Sequence, residues 1–111
     1  MAYDEKLADR IRLLLGEHDS LTEQRMFGGL AFLLGGNMAI AASGEGGILV
    51  RVDPEESDEL VARTPAEPME MRGRPLAGWL RVAAAHVADD ATLGAWVERG
   101  TAYAGSLPPK R

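Results

Sequence analysis

A chain of 111 residues, 46% of them apolar and 26% charged, can bury one core and is too apolar for a disordered segment. Its formal charge of −5 opposes the basic footprint on which direct nucleic-acid binding depends. The absence of cysteine excludes disulfides, thiolate metal sites and a cysteine nucleophile.

No apolar run approaches the ~20 residues of a membrane span. Asp4 and Glu5 beside Lys6 lack the basic-then-apolar order of a signal peptide, so the cytoplasm is the expected compartment.

The first element reads as a helix capped by Asp4, with Leu7, Ile11, Leu14 and Leu15 on one apolar stripe and a stop at Gly16 or the Glu17-His18-Asp19 run. Three strands follow. Leu30, Phe32 and Leu34 alternate with Ala31 and Leu33, and Met38, Ile40 and Ala42 alternate with Ala39 and Ala41. Gly35-Gly36-Asn37 between them supplies the positive φ angles of a tight hairpin. Gly44-Glu45-Gly46-Gly47 leads into Ile48–Val52, where Leu49 and Arg51 share the face opposite Ile48, Val50 and Val52. Asp53-Pro54, with Glu56 as capping-box partner, opens a second helix that stops before Pro65. Pro68–Arg72 and Trp79–Val82 read as two further strands joined through the Arg72-Gly73-Arg74-Pro75 turn. Asp89 and Asp90 open a last helix carrying Leu93, Trp96, Val97 and Ala104, which ends at Pro108-Pro109 and leaves Lys110 and Arg111 as a tail.

The order α-β-β-β-α-β-β-α, with turns too short for parallel crossovers, gives an α+β fold: a two-layer α/β sandwich with an antiparallel sheet. Three helices cover one sheet face. Leu33 and Leu49 lie on the other, which predicts a face that needs a cover, as in a homodimer.

Candidate chemistry is sparse. The glycine clusters join strand to strand and match neither a dinucleotide fingerprint nor a P-loop, so they read as hairpin turns. His18 and His86 are far apart and lack metal-ligand spacing, and the acidic pairs Glu55-Glu56 and Asp89-Asp90 are explained by helix starts. Ser43 and Ser106 sit in no nucleophile elbow. Met26, Met38, Met69 and Met71 suit an adaptable groove, although core packing explains them more simply. Among the strand and turn arginines, Arg25, Arg51, Arg72, Arg74 and Arg81 would form an anion-binding surface if they shared one face; exposed pairing to residues such as Glu23 and Glu70 is the plainer reading.

Arg25-Met26-Phe27-Gly28-Gly29-Leu30-Ala31-Phe32, the Gly36-Asn37-Met38-Ala39 turn and Leu49-Val50-Arg51-Val52-Asp53 resemble the N-terminal domain of the TfoX/Sxy family. Met69-Glu70-Met71 and Trp96-Val97 continue the likeness, which covers residues 4–107 of a single domain with 108–111 as a tail. The resemblance implies a fold like that of type III secretion chaperones, which dimerise, and a link to bacterial competence and transcription regulation. It brings no catalytic residues, cofactor or metal, and no room is left for the C-terminal domain of the family founders. The expectation is therefore a non-catalytic regulatory module that binds a protein partner, such as a transcription regulator, as a homodimer, through Arg25, Phe27, Arg51, Arg72 and Arg81. Direct DNA binding through a local arginine patch is one alternative. A small anionic-ligand or enzymatic domain is the other.

Overall fold

The computed structural model describes residues 3–26 and 28–110. Helix α1 (Glu5–Leu15) starts where the Asp4 carboxylate accepts from the Lys6 and Leu7 amides, and it ends at Gly16 with φ +68°. Its buried face is Leu7, Ala8, Ile11 and Leu15; Leu14, expected on that stripe, is 40% exposed. Strands β1 (Leu21–Met26), β2 (Gly29–Leu34), β3 (Asn37–Ala42) and β4 (Ile48–Arg51) follow as consecutive antiparallel neighbours. A 3₁₀ turn over Pro54–Glu56, capped by the Asp53 carboxylate on the Glu55 amide, runs into α2 (Ser57–Arg63). The expected Glu56 box is not made: the Asp53 cap bonds only the Glu55 amide, and the Glu56 amide donates to the Asp53 carbonyl in the 3₁₀ turn. Strands β5 (Glu67–Met71) and β6 (Arg74–Val82) and helix α3 (Asp90–Ser106) complete the chain, α3 being capped by Asp89 on the Thr92 amide.

The sheet order is β1-β2-β3-β4-β6-β5, antiparallel throughout. The α+β reading and its element order hold, with one strand more: β1 is a polar edge strand whose Thr22, Glu23, Gln24 and Arg25 are all exposed. The helices pack on one face, over Phe32, Ile40, Ile48, Val50, Leu80 and Val82, and bury Ile11, Leu93, Trp96 and Val97 against them.

Two irregularities shape the other face. Phe32 pairs with Ile40 but Leu33 pairs with Met38, so Ala39 is an extra residue in β3. This bulge reverses the parity expected of Met38, which joins Leu33 rather than Ile40. The β5–β6 ladder also breaks its register after Pro68, where Gly78 takes φ +85° and its carbonyl accepts from the Val52 amide at 2.8 Å. Both devices increase local twist and bend the sheet.

The bend answers the question of the second face. Ala31, Leu33, Met38, Ala41, Leu49 and Met69 form a separate buried cluster there, backed by Met26, Leu76 and Trp79. Leu33 and Leu49 are only 8% and 5% exposed without any partner. The face expected to await a cover is closed by the curl of its own sheet.

The turn at Gly35-Gly36 (φ +60° and +84°) is a two-residue hairpin of the mirror-image type, and Asn37 lies beyond it in β3. Its buried amide donates to the Pro108 carbonyl at 3.0 Å, while the Lys110 amide donates to Gly35 O at 2.7 Å. Residues 108–110 are thereby held on the β2–β3 turn.

Candidate functional site

On the second face the curl leaves a hollow of about 180 Å³, walled by Met26, Met38, Leu49 and Met69 with Glu70 and Arg81 among its polar residues. The wall itself measures the curvature. Met26 belongs to β1 and Met69 to β5, the two outermost strands. In a flat sheet these would stand about 24 Å apart, at five spacings of roughly 4.8 Å. One hollow of this size touches both only because the sheet wraps round it.

Backbone approach at one end of the hollow explains the glycines of the sequence motif. A Cβ on Gly29 would overlap the Ala42 carbonyl oxygen, and one on Gly44 would meet the Gly28 carbonyl. The β1–β2 turn and the β3–β4 loop therefore touch through bare backbone, and Gly29, Ser43, Gly44 and Glu45 border the hollow together.

Arg81 and Glu45 form its charged border. The Arg81 Nη2 donates to Glu45 Oε1 at 2.7 Å and lies 3.4 Å from Ser43 Oγ. The same pair also borders an open cleft of about 330 Å³ that contains Glu67, Pro65 and His86. Glu67 stands opposite Arg81 in the β5–β6 ladder, so two acidic residues neighbour this arginine and one of them, Glu45, is ion-paired to it. An arginine so neutralised is a poor receptor for a further anion.

The other arginines are dispersed. Arg51 lies over the rings of Trp79, at 5.1 Å, and Tyr103, at 5.5 Å, and so ties the end of β4 to both β6 and α3. Arg25 is exposed opposite Leu30, on the helix-bearing side of the sheet. Arg72 is exposed at the β5–β6 turn with φ +56°, next to Arg74. Phe27 lies outside the described residues. Of the described residues expected to form the binding surface, the structure thus brings only Arg81 to the hollow, with Arg51 two ladder positions away opposite Trp79. The methionines supply the wall instead, Met26, Met38 and Met69 converging while Met71 remains 42% exposed.

Two acids are shifted by their partners. Arg12 grips Glu23 with Nε and Nη2 at 2.7 and 2.9 Å, and this hydrogen bonding holds the Glu23 carboxyl below the ordinary glutamate range. The same contact raises the Arg12 guanidinium still further above its usual value. Asp89 is lowered chiefly by the Thr92 amide that it caps. Neither acid lines the hollow.

No helix among the described residues is long and apolar enough to cross a membrane, and no three His, Asp or Glu side chains among them gather as metal ligands. No curated protein and no solved structure matches the chain. The TfoX N-terminal domain family matches residues 13–104, a span that takes in every strand, the last turn of α1 and most of α3. The chain belongs to the TfoX N-terminal domain family.

Proposed function

We propose that this domain is a non-catalytic regulatory module of the cytoplasm that captures another protein, such as a transcription regulator, by seating one apolar side chain in the methionine-walled hollow. The observation that carries the reading is the hollow itself. At about 180 Å³ it falls below the ~300–1,000 Å³ of small-molecule sites and suits a single large aliphatic side chain. Three unbranched thioether side chains give it walls that adapt to the shape of what enters. The Arg81–Glu45 pair at its border offers both a donor and an acceptor to the backbone of an approaching segment. Family membership supports a regulatory role at the level of the family.

Selection from a displayed peptide library tests this reading. Enriched peptides should share one Leu, Ile, Met or Phe, and Met26→Ala should weaken their binding about tenfold, equivalent to roughly 1.4 kcal/mol. Met26 is the variant of choice because it is only half-buried, so its truncation should cost the fold less than that of the buried Met38 or Met69. Peptides without a common apolar residue, or binding indifferent to Met26→Ala, would contradict the proposal. Tight binding to duplex DNA that collapses with salt would instead favour the exposed Arg72-Gly73-Arg74 turn as a phosphate contact.

A further inference from the structure

The two open edges of the sheet are built differently. The outer strand β5 carries Pro68, a break in register and two acidic residues, Glu67 and Glu70, all of which discourage pairing with another strand. Strand β1 has neither the proline nor the break in register, and its one acidic residue, Glu23, is matched by Arg25. It is regular over its six residues, free of proline and exposed from Thr22 to Arg25, and no strand among the described residues pairs with its outer edge. The Ser20 carbonyl accepts from the Gly35 amide, so the even-numbered backbone groups of this strand face β2. Those of Glu23 and Arg25 therefore point out to the open edge.

We propose that β1 pairs antiparallel with β1 of a second copy about a two-fold axis at Gln24, joining two sheets into one. The charge pattern selects this register. Hydrogen bonding requires outward residues to face outward residues, which leaves few alignments centred on this strand. Centring on Glu23 sets two glutamates opposite each other, and centring on Arg25 sets two arginines opposite each other; both are disfavoured. Centring on Gln24 places Glu23 of each copy against Arg25 of the other, so that the strand is self-complementary, as an isologous interface demands. Arg25 makes no ion pair among the described residues, and Glu23, although held by Arg12, keeps acceptor capacity on both carboxylate oxygens. In this register Met26 lies opposite Thr22 of the second copy, so the hollow of each subunit opens beside the joint. The inference rests on the edge alone and stands whether or not the hollow binds a peptide.

The chain lacks cysteine, so a single introduced thiol reports the register directly. At the two-fold axis the Gln24 Cα atoms form a pair without backbone hydrogen bonds, about 4.5 Å apart, within the roughly 4.4–6.8 Å span of a disulfide. Wild type should weigh twice the 11.9 kDa chain mass by light scattering at high micromolar concentration. Gln24→Cys should cross-link on oxidation much faster than Thr22→Cys, which has Met26 opposite it. Arg25→Glu and Glu23→Arg should each be monomeric alone and dimeric when mixed, because only the mixed pair restores both charge matches. A monomeric wild type, equal cross-linking of the two cysteine variants, or an Arg25→Glu variant that remains dimeric would overturn the proposal.

Discussion

Two glycines in α3 illustrate how one substitution takes opposite signs. Gly100 lies over the β3 bulge, where a Cβ would overlap the Ala39 carbonyl oxygen and stand 3.2 Å from Val50 Cγ2. Gly94, on the same helix, would meet only Leu14 Cδ2 at an ordinary 3.7 Å. Gly94→Ala should therefore stabilise the domain by about 0.5–1 kcal/mol, the gain in helix propensity. Gly100→Ala should destabilise it by about 1–3 kcal/mol through overpacking against backbone that cannot yield. Urea unfolding of both variants measures the difference. At the same scale, the Arg12–Glu23 contact gives stability a pH dependence of known sign. Because the folded carboxyl is depressed, its contribution is present above the ordinary glutamate value of 4.5 and is lost as the pH falls through the lower folded value. The stability gap between wild type and Arg12→Ala should accordingly narrow below pH 4.5, and a gap constant down to strongly acidic pH would contradict the assignment. With side chains 41% and 38% exposed, the pair contributes modestly at any pH.

At the scale of elements, what was legible in the sequence was whatever local chemistry dictates. Asp4, Asp53 and Asp89 each cap the backbone that follows them, Gly16 closes α1, and the Gly35-Gly36 turn sets a two-residue hairpin. What escaped was set by pairing across the sheet. Leu21–Met26 carries four consecutive polar residues and no apolar alternation, so its strand character comes from the β2 ladder rather than from its own pattern. The Ala39 bulge is equally silent, since a run of Met-Ala-Ile-Ala-Ala reads the same with or without an extra residue. Missing it assigned Met38 to the helix side and concealed the convergence of Met26, Met38 and Met69. The arginines were individually visible, but their faces depend on register and on turns, and the structure disperses them. Asn37 was read as a turn residue because its neighbours are glycines; only the tertiary contact to Pro108 shows its buried amide holding the end of the chain.

For the whole molecule, the account turns on an antiparallel sheet bent far enough to bury both of its faces. One side is closed by α1 and α3, the other by its own curvature, and the second closure is incomplete at the hollow. Small residues at Ala31 and Ala41 on the concave face make room for the bend, and the irregularities of β3 and β6 supply it. A face of this kind needs no cover for solubility, which leaves its unfilled part available for a transient partner. The most direct measurement is a methionine-methyl NMR titration of the wild-type domain with a peptide from the library selection. The account predicts that the Met26, Met38 and Met69 methyl signals move together at one affinity while that of the exposed Met71 stays in place. Saturable binding that shifts Met71 and leaves the other three unmoved would contradict it.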